Sequence, residues 1–185
     1  EWIRKSAEQG NSEAQLHLGY MYEEGLGVSQ DYAKVVEWYR KAAEQGDIDA
    51  QSYLGDMYYK GEGVSKDYTK ALEWYRKLAE RGFSDDQYKL GNMYCKGEGV
   101  TQDFTKAVEW YRKSAEKGNA KAQFNLGEMY YYGRGVSEDE AKAVEWYRKS
   151  AEQGNAAAQC NLGYMYRHGR GISQDYAKAV EWYRE

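Results

Sequence analysis

The tetrapeptide Glu-Trp-Tyr-Arg returns every 36 residues along this chain. It stands at Glu37–Arg40, Glu73–Arg76, Glu109–Arg112, Glu145–Arg148 and Glu181–Arg184, and Glu1–Arg4 is a variant with Ile3 in place of tyrosine. All six tryptophans lie in these copies. A constant period points to one kind of architecture. A small structural unit that cannot bury its apolar face alone does so by stacking on its neighbours. The 185 residues are therefore read as a single array. Residues 1–10 are the tail of a helix. Full repeats follow at 11–46, 47–82, 83–118 and 119–154, with a truncated one at 155–185.

Each repeat reads as two helices. Helix A starts at Asn11, Asp47, Asn119 and Asn155, side chains suited to N-capping, each directly after a glycine that ends the preceding helix. In the third repeat Phe83 takes that place, so Ser84 is expected to cap one residue later. A Gly-x-Gly loop such as Gly25–Gly27 ends helix A, and Val28, Val64, Val100, Val136 and Ile172 are expected to pin that loop to the core. Asp31, Asp67, Asp103, Asp139 and Asp175 are placed to cap helix B. The chain lacks proline, so its breaks are made by glycine alone. The expected fold class is all-α, built of helix-turn-helix repeats: ten helices and a leading fragment.

On a helical wheel the positions of helix A fall into two classes. With Ala14 at zero, Gln15, Leu18, Gly19, Met21 and Tyr22 lie between about 340° and 140°. These residues are the same in all five repeats, except that Asp86 replaces the alanine in the third. This is the packing stripe. The opposite arc varies freely. It carries Leu16, His17, Tyr20, Glu23 and Glu24 in the first repeat, and Ser52, Tyr53, Asp56, Tyr59 and Lys60 in the second. The third has Tyr88, Lys89, Asn92, Cys95 and Lys96, and the fourth has Phe124, Asn125, Glu128, Tyr131 and Tyr132. Cys160, Asn161, Tyr164, Arg167 and His168 complete the series. Large aromatics on the polar side of a helix, different in each repeat, are not what packing dictates.

Helix B is the reverse case. Tyr32, Val35, Val36, Tyr39, Ala42 and Ala43 form its expected core stripe. Its outward face repeats its charges, with Glu37–Lys41 and Arg40–Glu44 spaced as i,i+4 pairs worth about 0.2–0.5 kcal/mol each. Trp38 and its equivalents are expected at the edge of the stripe, sealing a seam. Glu140, where other repeats have tyrosine or phenylalanine, is expected to weaken packing locally.

The composition carries no sign of chemistry. With 26 basic and 30 acidic residues and a net charge of −4, the chain lacks the basic face of a nucleic-acid binder. No apolar run approaches the ~20 residues of a membrane span. The two histidines, His17 and His168, are four repeats apart, which argues against a histidine dyad or metal site. Cys95 and Cys160 are two repeats apart, too far for a disulfide between stacked helices, and are read as free thiols. Each Gly-x-Gly loop is followed by an aspartate at the helix start, where a phosphate would have to sit, so the glycines are turn residues. Ser114–Lys117 matches Ser-x-x-Lys but lacks its companion motifs, and Ser114 falls on the core stripe. No catalytic residue, metal or cofactor is expected.

The full pattern, Ala14-x3-Leu18-Gly19-x2-Tyr22-x2-Gly25-x-Gly27-Val28-x2-Asp31-x2-Lys34-x3-Glu37-Trp38-Tyr39-x2-Ala42-Ala43-x2-Gly46, resembles the Sel1-like repeat, a relative of the tetratricopeptide repeat. The resemblance runs through the whole chain, with Phe83, Asp86 and Glu140 as departures. It implies a right-handed αα-superhelix, a solenoid whose A helices line the concave side. It also implies adaptor roles in protein complexes, signalling and bacterial host interaction. Cysteine-rich relatives are secreted and pair cysteines within a repeat, a spacing this chain does not have.

The expected function is that of a non-enzymatic scaffold binding a protein or peptide on the variable A-helix arc. The alternative is a penicillin-like small-molecule binder or weak hydrolase, as claimed for some relatives; a third reading is a pure spacer. Formal charge on the arc runs from −3 in the first repeat (Glu13, Glu23, Glu24) to +1 in the fifth (Arg167), so a bound peptide is expected with its basic end at the first repeat. The chain begins and ends within a helix, so it reads as an excised segment whose exposed core faces would allow end-to-end self-association. The compartment stays open between cytoplasm, bacterial periplasm and secretion.

Overall fold

The computed structural model describes residues 1–184. It contains eleven helices in chain order: α1 (Trp2–Glu8), α2 (Ser12–Glu24), α3 (Tyr32–Glu44), α4 (Ile48–Lys60), α5 (Tyr68–Glu80), α6 (Ser84–Lys96), α7 (Phe104–Glu116), α8 (Ala120–Tyr132), α9 (Glu140–Ala151), α10 (Ala156–His168) and α11 (Tyr176–Arg184). No strand occurs among the described residues. Two compact units are distinguished. One comprises Glu1–Arg81 with the short segment Glu98–Val100, and the other Gly82–Gly97 with Thr101–Glu185. In each, consecutive helices pack as helix-turn-helix hairpins.

The caps fall where the sequence places them. Asn11, Asp47, Asn119 and Asn155 accept from the backbone N–H three residues on, at 2.8–3.0 Å. Asp31, Asp67, Asp103, Asp139 and Asp175 do the same for helix B. The backbone bonds and the Lys70, Lys106 and Lys142 ammoniums hold the Asp67, Asp103 and Asp139 carboxyls below their usual range. Ser84 does not cap: it is the first helical residue of α6, Phe83 occupies the cap position, and no side chain bonds there. Asp85 and Asp86 in the first turn supply negative charge to the helix start instead. Asp86, where other repeats have alanine, is buried and lies 3.9 Å from Lys89.

Helix A ends by glycine in the left-handed conformation; Gly133, at φ 63°, caps α8 and donates to the Met129 carbonyl. The second loop glycine serves close approach. At Gly135 a Cβ would overlap the Phe104 backbone, so this loop can lie against the start of the preceding repeat's helix B only without a side chain. The valines that follow, and Ile172, are half-buried at the rim.

Within each unit, two polar contacts join successive hairpins. The invariant glutamine of helix A donates to a carbonyl near the end of the preceding helix B: Gln51 to Ala43 at 2.9 Å and Gln123 to Ala115 at 3.1 Å. The arginine of Glu-Trp-Tyr-Arg donates to the tyrosine hydroxyl of the next helix A: Arg40 to Tyr58 at 3.1 Å, Arg112 to Tyr130 at 2.9 Å and Arg148 to Tyr166 at 3.2 Å. Arg40 therefore joins repeats and does not pair with Glu44, as its spacing suggested. Glu37 and Lys41 do pair, at 2.6 Å, and Lys41 also lies over the Trp38 ring at 4.1 Å. Trp38 is buried, and Trp74, Trp110 and Trp146 are half-buried beneath lysines placed in the same way.

Position 32 is not core. Tyr32 and Tyr176 are exposed, and Tyr68 and Phe104 are half-buried, because the first residue of helix B lies at the rim before helix A covers it. Glu140 at the same place is half-buried as well. Its carboxylate pairs with Arg170 of the following loop.

Candidate partner-binding face

The site begins with the tyrosine of Glu-Trp-Tyr-Arg. Its ring lies flat against the helix A glycine: a Cβ at Gly127 would stand 2.7 Å from the Tyr147 ring, and one at Gly55 would stand 2.8 Å from Tyr75. Glycine at that position lets the ring slide between the two helices. The hydroxyl then emerges on the variable arc, and a buried phenol requires an acceptor there.

The arc supplies one in each of the first four repeats. Tyr39 donates to Glu23 at 2.6 Å, Tyr75 to Asp56 at 2.6 Å, Tyr111 to Asn92 at 2.7 Å, and Tyr147 to Glu128. Where position 20 is itself tyrosine (Tyr20), the acceptor comes from position 23. Burial first, and then the neighbouring carboxylate, push the Tyr39 and Tyr147 phenols well above their usual range. The arc is thus less free of packing than its variability implied. It varies among side chains that share one property, an oxygen able to accept.

The second unit extends these contacts across repeats. Asn125 donates to Asn92 at 3.1 Å, and Asn161 to Glu128 at 2.8 Å. Position 16 shields the same tyrosine: Tyr88 lies 6.1 Å from Tyr111 and Phe124 lies 5.9 Å from Tyr147, centroid to centroid. Within the first unit, Tyr53 stacks on Tyr39 at 5.4 Å. Tyr59 donates to Glu98 at 2.7 Å and packs against Tyr68, so it holds a loop. Lys60 lies 3.6 Å from Glu62. Leu16 and Ser52 are half-buried; His17 donates from Nδ1 to the Glu13 carbonyl at 2.8 Å.

What stays exposed is a smaller set. It includes Tyr20, Glu24, Tyr53, Lys60, Lys96, Tyr132, Tyr164, Arg167 and His168. In the second unit the tyrosines surround a cavity of about 260 Å³ lined by Glu128, Tyr131, Tyr132, Tyr147, Asn161, Tyr164 and Met165. Tyr131 and Tyr132 meet edge to face at 4.9 Å. Burial and the Tyr164 hydroxyl raise the Tyr131 phenol above its usual value. Five of the seven lining residues were expected at the site. The other two, Tyr147 and Met165, fall on the core stripes of the sequence pattern and are buried. The available signal was tyrosine in place of phenylalanine at a core position, since a hydroxyl retained there needs a partner.

Ser114 is fully buried and donates to the Ser84 carbonyl at 2.7 Å, so its hydroxyl is committed to packing. Cys95 and Cys160 are both unpaired thiols. Among the described residues no three His, Cys, Asp or Glu side chains gather as a metal-binding group, and no helix is long and apolar enough to cross a membrane.

The comparisons with known proteins follow the same period. A profile for the Sel1 repeat matches residues 1–11, 12–47, 48–83, 84–119, 120–155 and 156–185. The crystal structure of c5321 from uropathogenic Escherichia coli, described as a protective antigen with an SLR fold, is 44% identical with a TM-score of 0.94, over 98% of this chain and 39% of its own. A Sel1 repeat protein from Oxalobacter formigenes is 40% identical with a TM-score of 0.89, over 95% of this chain and 72% of its own. The immunity protein Pa5087 from Pseudomonas aeruginosa is 26% identical with a TM-score of 0.61, over 94% of this chain and 64% of its own. No curated protein sequence gives a significant match. This fold generally serves as a protein-interaction scaffold and is typically non-catalytic. By its period, its hairpins and these matches, the chain belongs to the Sel1 repeat family.

Proposed function

We infer that this chain is a non-enzymatic scaffold that binds a protein or peptide through the variable face of its A helices. The observation carrying this reading is the exposure of tyrosines on that face. Tyr20, Tyr53, Tyr132 and Tyr164 are each 42–53% exposed, whereas their counterparts on the stripe side are buried. Tyrosine offers large apolar area and a hydrogen-bonding tip at little conformational cost, which is why it anchors interfaces. A pure spacer would have no use for such side chains, and the repeated outward positions of helix B, those of Lys34, Glu37, Arg40, Lys41 and Glu44, carry charges instead. In the first unit the same face carries Glu13, Glu23 and Glu24, which favours a basic segment there. That the repeats act as one array on one partner is part of the same reading.

The test is capture of a partner by the full-length protein. Tyr20→Ser, Tyr132→Ser and Tyr164→Ser are compared with outward-face Glu37→Gln and Lys41→Gln. Loss of a partner with the tyrosine variants alone supports the reading. Equal capture by both sets removes this face from consideration.

A further inference from the structure

The cavity between α8 and α10 has a chemical character of its own. Tyrosine rings wall it, and Glu128 stands in that wall. The Glu128 Oε1 atom accepts from the Tyr147 hydroxyl and from Asn161, while no bond reaches Oε2. No lysine, arginine or histidine of the described chain forms an ion pair with Glu128. The Tyr147 hydroxyl and one Asn161 N–H are spent on Oε1, so what the cavity offers inward is the second carboxylate oxygen, the rest of the Asn161 amide, phenol hydroxyls that can donate or accept, and π faces. The one formal charge in the lining is a carboxylate and the rings present π faces, so the group that suits it best carries positive charge and several donors, as arginine and lysine side chains do. Between them, the planar guanidinium stacks on aromatic faces better and is more weakly hydrated.

One of these rings already carries a guanidinium on its outer side. Arg134 lies over the Tyr132 ring at 5.0 Å, and the His168 ring lies 4.5 Å from Tyr164, yet neither residue lines the cavity. Arg170 is engaged by Glu140. Tyr131 and Tyr132 build the aromatic side walls, whereas the third repeat has Cys95 and Lys96 at the same places. Two adjacent tyrosines at these places occur in this repeat alone, the second repeat having Tyr59 and Lys60. A volume of about 260 Å³ lies just below the range of small-molecule sites, so it suits one side chain of a larger partner.

We propose that this tyrosine cage receives an arginine side chain of the partner protein, with the guanidinium on the tyrosine faces and one N–H directed to Glu128 Oε2. The proposal rests on the scaffold reading above and specifies the chemistry of its contact in the second unit.

The probe is N-acetyl-arginine methylamide, with the neutral isostere N-acetyl-citrulline methylamide as control, each titrated into the protein and followed by ¹H–¹⁵N NMR. The arginine probe is expected to shift the amides of Glu128, Tyr132, Asn161 and Tyr164, with citrulline at least roughly tenfold weaker. Glu128→Gln keeps an oxygen for Tyr147 and is expected to weaken the arginine probe about tenfold at an unchanged circular-dichroism spectrum. Tyr132→Ala is expected to cost about fivefold. Equal binding of the two probes, shifts confined to residues outside the cavity, or no response to arginine would each overturn the proposal. Those results can be told apart from failure of the scaffold reading. A partner lost by Tyr132→Ser without any arginine response leaves the interaction surface standing and removes the cage. An arginine response in a protein that captures no partner does the reverse.

Discussion

At the scale of single residues, one tyrosine per repeat connects the core to the surface. Gly127 admits the Tyr147 ring, and Glu128 receives its hydroxyl. Gly127→Ala forces an extra carbon into that contact and is expected to cost about 1–3 kcal/mol, read as a lower urea midpoint at unchanged slope. The first repeat separates two neighbouring carboxylates that are alike in sequence. Glu23 holds the Tyr39 hydroxyl, whereas Glu24 is exposed. Glu23→Lys is expected to lower stability by roughly 1–3 kcal/mol, because a buried phenol loses its acceptor. Glu24→Lys is expected to leave the thermal midpoint within about a degree and to slow association of a basic partner at low salt. Equal thermal shifts for the two variants would show that the hydrogen bond contributes nothing.

At the scale of elements, the helices are started by side chains and stopped by glycine. Asp103 caps α7, accepting from Lys106 N–H at 3.0 Å. Asp103→Ala is expected to cost about 1 kcal/mol by chemical denaturation, and Asp103→Asn only a few tenths, since asparagine still accepts. Similar losses for both would assign the effect to charge. The connections between elements are polar as much as apolar. Gln123 and Arg112 each bond one hairpin to the next, and neither contact follows from an i,i+4 pattern. The aspartate at position 86 and the glutamate at position 140 found partners within the second unit, Lys89 and Arg170.

At the scale of the whole molecule, these repeated devices set a pH window. The Asp67, Asp103 and Asp139 carboxyls are held below their usual value in the folded chain. Their contribution is present above the unfolded carboxyl pKa of about 4 and is lost as pH falls through the lower folded value. The Tyr39, Tyr111 and Tyr147 phenols are raised above 10.0. Their contribution is complete below about pH 10 and is lost as pH rises above it, because the unfolded chain ionises first. The thermal midpoint is therefore expected to be flat across neutral pH and to fall below about pH 4 and above about pH 10. Replacing Tyr39, Tyr111 and Tyr147 by phenylalanine should flatten the alkaline fall while lowering the midpoint at pH 7. An undiminished alkaline fall would place its origin elsewhere.

The sequence by itself determined the period, the eleven helices, the Asn and Asp caps and the stripe that packs, though not the uncapped start of α6, because spacing, propensity and turn chemistry are local and repeat with the chain. It also located the face that varies. It misplaced Tyr32 in the core, paired Arg40 with Glu44, and treated Glu128 and Asn161 as free surface. Those depend on which side chains from different helices meet, and spacing on one helix does not contain that information. Only the tertiary structure decided that Glu23, Asp56, Asn92 and Glu128 share one acceptor role, and that four tyrosines from α8, α9 and α10 close around one carboxylate. The physical reason is burial: a phenol carried between two helices takes its hydroxyl to a neighbouring element and must find an oxygen there.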